Sequence, residues 1–69
     1  MQVTVKAARV MAGLTQRQAA EGLGVSRNTY MWLEKHPERA SMETANKLCS
    51  LFGVSMDDVN FLPETTHEV

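Results

Sequence analysis

Residues 15–35, TQRQAAEGLGVSRNTYMWLEK, decide the fold of this chain. Thr15-Gln16-Arg17-Gln18 is a capping box, in which the Thr15 hydroxyl accepts from the Gln18 amide and the Gln18 side chain reaches back. It opens a helix that runs to about Gly22 and buries Ala19, Ala20 and Leu23. Gly24 stands where a left-handed residue closes that helix. Val25 follows, and Ser26 caps the next helix, from Arg27 to about Lys35. On that helix Tyr30 and Leu33 point one way, while Asn28 and Trp32 point another. Ala20 is small where the two helices must approach closely. The stretch therefore reads as two short helices around Gly24-Val25-Ser26.

Working outward, Gly13, Gly53, Pro37 and Pro63 cut the remainder into further short helical pieces. Thr4 is placed to cap a first helix over Val5 to Ala12. That helix is apolar nearly all round (Val5, Ala8 and Ala12 beside Arg9, with Ala7, Val10 and Met11 opposite), so it is expected to be covered on more than one side. Ser41 caps a fourth helix, on which Met42, Ala45, Leu48, Cys49 and Phe52 form an apolar stripe at i, i+3, i+6, i+7 and i+10. Ser55-Met56-Asp57-Asp58 opens a final short helix containing Val59. Phe61-Leu62-Pro63 leads into a polar tail over residues 60–69. The expectation is an all-α, compact five-helix bundle forming one domain over residues 1–69, with no β pattern in competition.

The stretches Leu14-Thr15-Gln16, Leu23-Gly24-Val25-Ser26, Leu33-Glu34 and Phe52-Gly53-Val54-Ser55 resemble the motifs of the Cro/CI-type (Xre) helix-turn-helix family of phage and bacterial transcriptional regulators. Four such stretches in register cover about Val5 to Val59. The resemblance implies a lambda-repressor-like DNA-binding domain whose helix-turn-helix unit spans about 16–35. It implies that the third helix enters the major groove with its N-terminal side chains at base edges. Arg27 and Asn28 hold those positions. Arginine grips guanine O6/N7 and asparagine grips adenine N6/N7, each pair discriminating by about 1–3 kcal/mol. Met31 and Trp32 lie one turn further on, where apolar side chains pack on thymine methyl groups. Trp32 departs from the polar residue more usual there, and both groove contact and intramolecular packing stay open for it.

By the same resemblance, Gln16 contacts the DNA backbone from the start of the second helix, where free N–H groups and the dipole favour an anion. Arg17, Ser26, Lys35 and Arg39 are weaker phosphate candidates. Arg9 and Glu34 match a charged pair that many family members bury between the first and third helices. His36 and Ala40 replace the glycine and proline common in the family's connection from helix three to helix four.

The whole chain has 69 residues and a formal charge of −1, with 43% hydrophobic and 22% charged residues, ordinary for a folded soluble domain. A chain of this size buries only about 60% of its unfolded surface, too little for a deep active-site cleft. One cysteine, Cys49, excludes an intramolecular disulfide and a multi-cysteine zinc site. No apolar run reaches the roughly 20 residues of a membrane span, and no charged-then-apolar leader opens the chain. The expected compartment is the reducing cytoplasm of a bacterial or phage-infected cell. Residues 1–39 carry Lys6, Arg9, Arg17, Arg27, Lys35 and Arg39 against Glu21, Glu34 and Glu38, a net +3. Residues 40–69 carry Lys47 against Glu43, Asp57, Asp58, Glu64 and Glu68, a net −4. A +3 half is modest, so useful affinity is expected only from a homodimer on a palindromic operator.

The remaining residues read as structural. Met11, Met42 and Met56 are core filler, and Cys49 is a small buried hydrophobe. His36 and His67 sit in a turn and in the tail without metal-ligand spacing, and Glu38-Arg39 is a solvated turn. No nucleophile, base and cleft converge, so no enzyme, cofactor, metal or small-molecule ligand is expected. Lacking the long C-terminal region of lysogeny repressors, the chain reads as a sequence-specific regulator of double-stranded DNA, Cro-like or a minimal phage-type repressor. The alternative is a protein-interaction module, such as an antitoxin or antirepressor.

Overall fold

Each helix begins where a hydroxyl side chain takes up a free N–H, and the computed structural model describes this for residues 2–62. The helices are α1 (Val5–Met11), α2 (Gln16–Leu23), α3 (Arg27–Lys35) and α4 (Met42–Phe52). Thr4 Oγ1 accepts from the Ala7 N–H at 3.0 Å, Ser26 Oγ from Thr29 at 3.1 Å and Ser41 Oγ from Thr44 at 3.1 Å. At α2 the box is reciprocal: Thr15 Oγ1 accepts from the Gln18 N–H at 3.0 Å, and Gln18 Oε1 accepts from the Thr15 N–H at 2.9 Å. Between α2 and α3, Gly24 adopts φ 82°, a left-handed conformation that a Cβ disfavours. The Val25 N–H then donates to the Ala20 carbonyl at 3.0 Å, closing the helix end.

Ala19, Ala20, Tyr30 and Leu48, each at most 2% exposed, form the centre of the core with Val5 and Ala8. Helix α2 lies against both α3 and α4, and α1 lies against α4. Gly22 is the penultimate residue of α2, one short of its end at Leu23. A Cβ there would come within 2.7 Å of Leu51 Cδ1, so the missing side chain lets α4 approach.

Several expectations are corrected. The described residues hold four α-helices, not five: Met56–Asp58 is a single 3-10 turn, and a second one, Pro37–Arg39, connects α3 to α4. Val59 does not continue a helix. It pairs with Val3 in an isolated parallel bridge, with the Val3 N–H donating to the Asp58 carbonyl at 2.9 Å and the Asn60 N–H to the Val3 carbonyl at 2.8 Å. The segment just before α1 and the one after the Met56–Asp58 turn thus clip together, and buried Val59 joins the core.

Helix α1 is covered on one side only, because Val10 and Met11 are 58% and 71% exposed. Met42 is also no core filler: at 71% exposed it projects from the first turn of α4 into an open groove beside Gly22, Leu23 and Leu51. Met56 does pack half-buried on the core, and buried Cys49 places its Sγ 3.5 Å from the Met56 sulfur. Burial pushes the Cys49 thiol pKa up, with nearby Asp58 adding to it. His67 and most of the 60–69 tail lie outside the described residues. Among the described residues no helix is long and apolar enough to cross a membrane.

Candidate nucleic-acid interface

The first turn of α3 presents Arg27, Asn28 and Thr29, all exposed. Ser26 fixes that turn: its hydroxyl accepts from the Thr29 N–H and donates to Thr29 Oγ1 at 2.9 Å. The Ser26 hydroxyl proton is therefore already engaged. Arg27 and Asn28 make no side-chain hydrogen bond or ion pair among the described residues, so their donors and acceptors face solvent. Met31 is half-buried, whereas Trp32 is 46% exposed. The Trp32 ring leans on His36 across the last turn, with centroids 5.3 Å apart and planes inclined by 45°. His36 in turn lies 3.8 Å from a Glu38 carboxylate oxygen.

Basic side chains flank this turn without being held. Lys35 and Arg39 are exposed, on the last turn of α3 and on the 3-10 turn that follows. Arg17 reaches Glu21 only at 4.0 Å, and both side chains are well exposed, so water screens the pair. At the start of α2 the capping box takes up the Gln18 N–H, leaving the Gln16 and Arg17 backbone N–H groups without a helical partner.

Behind that helix start lies a buried polar cluster. Arg9 Nε donates to Glu34 Oε2 at 2.6 Å, with the side chains only 10% and 5% exposed. Arg9 Nη1 also donates to the Leu14 carbonyl at 2.8 Å, which ties down the loop entering α2. The other Glu34 oxygen, Oε1, accepts from Gln16 Nε2 at 3.1 Å. Tyr30 sits beneath this pair. Its hydroxyl is buried and makes no hydrogen bond among the described residues. Burial pushes the phenol pKa far above its usual 10.0, and Glu34 pushes it the same way.

Sequence reasoning placed Arg9 with Glu34 and placed Gln16 separately at the helix start. It missed that Glu34 joins the two, a contact across 18 residues that no helical periodicity encodes. It also passed over Thr29, which the Ser26 cap sets in the same exposed turn as Arg27 and Asn28. No cluster of three or more His, Cys, Asp or Glu side chains with metal-binding geometry occurs among the described residues.

The helix-turn-helix family model matches residues 5–59. The chain belongs to the Xre-type helix-turn-helix family. Over 51 residues, 74% of this chain, it is 37% identical to the cryptic phage CTXphi transcriptional repressor RstR of Vibrio cholerae. That alignment spans only 46% of the repressor, about half its length. An uncharacterized HTH-type transcriptional regulator of Methanocaldococcus jannaschii is 37% identical over 59 residues, 86% of this chain and 89% of the relative. The uncharacterized HTH-type transcriptional regulator YgzD of Bacillus subtilis is 36% identical over 64 residues, 93% of this chain and 97% of the relative. No solved structure matches the chain. In this helix-turn-helix domain, α2 and α3 are the two helices of the motif, and Gly24-Val25-Ser26 is its turn.

Proposed function

We propose that the chain is a sequence-specific regulator of transcription that binds double-stranded DNA through α3 in the major groove. The observation that carries this is the first turn of α3, where Arg27 and Asn28 stand exposed and without partners among the described residues. An arginine fork matches guanine O6/N7 and an asparagine amide matches adenine N6/N7. Exposed Trp32 and the visible edge of Met31 sit one turn deeper, at the height of thymine methyl groups. Gln16, with the open N–H groups of α2, holds a phosphate, and Arg17, Lys35 and Arg39 supply weaker backbone contacts, joined by Ser26 where its hydroxyl proton turns from Thr29 to a phosphate. The relatives named as a transcriptional repressor and as transcriptional regulators support this reading. We assign a Cro-like or minimal repressor role, in which a homodimer sets two α3 helices in successive major grooves about 34 Å apart.

Selection of bound sites from a random duplex pool tests the assignment. A palindrome with half-sites one helical turn apart is the expected product. Recovery of unenriched sequence overturns base reading by α3. On the selected site, Arg27→Ala is expected to cost about 1–3 kcal/mol and to relax preference at one base position. Lys35→Ala is expected to weaken all sequences alike and to lower the slope of log affinity against log salt by about 1. Equal, sequence-independent losses in both variants would assign Arg27 to phosphate rather than base.

A further inference from the structure

Glu34 joins two groups that differ in kind: a buried cation on α1 and the first side chain of α2, the helix whose leading N–H groups are open. We propose that Glu34 is a positioning residue for phosphate binding, its carboxylate braced by Arg9 and locking the Gln16 amide with its nitrogen inward and its second N–H free for an anion. This rests on the reading of Gln16 as a phosphate ligand and extends it to residues that touch no DNA.

The chemistry is directional. An ionised carboxylate only accepts hydrogen bonds, whereas a glutamine amide offers two donors on its nitrogen and acceptor sites on its oxygen. With Oε1 of Glu34 3.1 Å from Gln16 Nε2, flipping the amide would set two acceptors against each other. Glu34 therefore selects one amide orientation, and the second N–H of Nε2, on the residue that opens α2, has no partner among the described residues. A side chain already ordered loses less rotamer freedom when a phosphate arrives. Arg9 has two parts in this. Its 2.6 Å contact offsets the Glu34 charge that would otherwise repel a phosphate, and its bond to the Leu14 carbonyl holds the loop from which α2 starts. Glu34 is itself set in place by burial, its side chain being 5% exposed.

The test measures affinity for a duplex of random sequence at low salt, which reads phosphate contacts without a known operator. Two paired exchanges avoid leaving one buried charge alone. Arg9→Met/Glu34→Gln keeps an acceptor facing Gln16 and is the reference for the second pair, since both lose the Arg9 bond to the Leu14 carbonyl alike. Arg9→Met/Glu34→Leu removes the acceptor and is expected to bind about three- to tenfold more weakly than that reference, the effect of leaving one side chain unordered. Adding Gln16→Ala to the second pair is expected to cost less than Gln16→Ala costs the parent, because Glu34 acts through Gln16. Equal affinity of the leucine and glutamine pairs overturns the proposal, and so does a loss that adds in full to that of Gln16→Ala. If Gln16→Ala alone binds like the parent, the phosphate role of Gln16 fails instead.

A second measurement stands even where the leucine pair does not fold. In NMR spectra of the unaltered chain, the Gln16 side-chain amide protons are expected to be shifted from those of exposed Gln18 and to exchange more slowly. Gln16 amide signals with the shift and exchange of a free glutamine overturn the positioning role.

Discussion

Arg9→Met, made alone, is expected to lower the unfolding free energy by about 3–5 kcal/mol, the usual cost of leaving one partner of a buried ion pair. The exchange leaves the Glu34 carboxylate with one neutral donor, Gln16, at a site where its side chain is 5% exposed. It also takes the Arg9 Nη1 donor from the Leu14 carbonyl. A domain of this size has a total stability of roughly 3–10 kcal/mol, so the loss is comparable with the whole. Urea titration followed by helical circular dichroism reads it directly. The paired exchange Arg9→Met/Glu34→Leu is expected to recover most of the loss, because an apolar pair of similar volume avoids the desolvation cost. A loss below about 1 kcal/mol for Arg9→Met would mean that the pair behaves as a solvated one.

Tyr30→Ala is expected to cost about 3–5 kcal/mol, since the ring is fully buried at the junction of α3 with the rest of the core. Tyr30→Phe contrasts with it. Among the described residues the buried hydroxyl makes no well-formed hydrogen bond, so its removal costs at most a weak contact with the Glu34–Arg9 pair and is expected to leave stability within about 1 kcal/mol of the parent or raise it. The pH dependence follows from the same burial. The folded-state pKa of Tyr30 lies above the unfolded value of 10.0, so the neutral phenol is the form that folding favours. That contribution is fully present below pH 10.0 and is lost as the pH rises towards the folded value, because only the unfolded chain ionises readily. Alkaline unfolding is therefore expected to begin later in Tyr30→Phe than in the parent, read by circular dichroism. Identical alkaline midpoints would mean that Tyr30 does not drive this transition.

Much of the fold was legible because its signals are local. The hydroxyl caps at Thr4, Thr15, Ser26 and Ser41 act over three residues, and Gly24 closes α2 within one turn. Such contacts depend on spacing alone, and spacing is what a sequence displays. The fifth helix failed for a related reason. Ser55 looked like another cap, yet its hydroxyl lies 3.2 Å from Asp58 Oδ2 and accepts no backbone N–H. Val59 is instead drawn into a bridge with Val3, from the opposite end of the chain.

The candidate site divides the same way. Arg27 and Asn28 were candidates because the resemblance implies that the leading side chains of the third helix meet base edges, and both are exposed. Met42 shows where periodicity stops. It lies on the apolar stripe of α4 by spacing, but its level of the helix faces an open groove beside Gly22 and Leu23 rather than a neighbour. Val10 and Met11 were misjudged likewise, because an apolar face records what a helix can bury and not whether anything covers it.

Sequence thus determined the limits of the four helices, the turn between α2 and α3, and the exposed pair that opens α3. It also showed a net charge of −1 to be the average of a +3 half and a −4 half. Tertiary packing decided which apolar faces are covered, how the segments at Val3 and Val59 clip together, and that Glu34 holds both Arg9 and Gln16. The physical difference is range. A cap or a turn is settled by backbone geometry a few residues away, whereas these outcomes require elements far apart in the chain to meet at hydrogen-bonding or van der Waals distance.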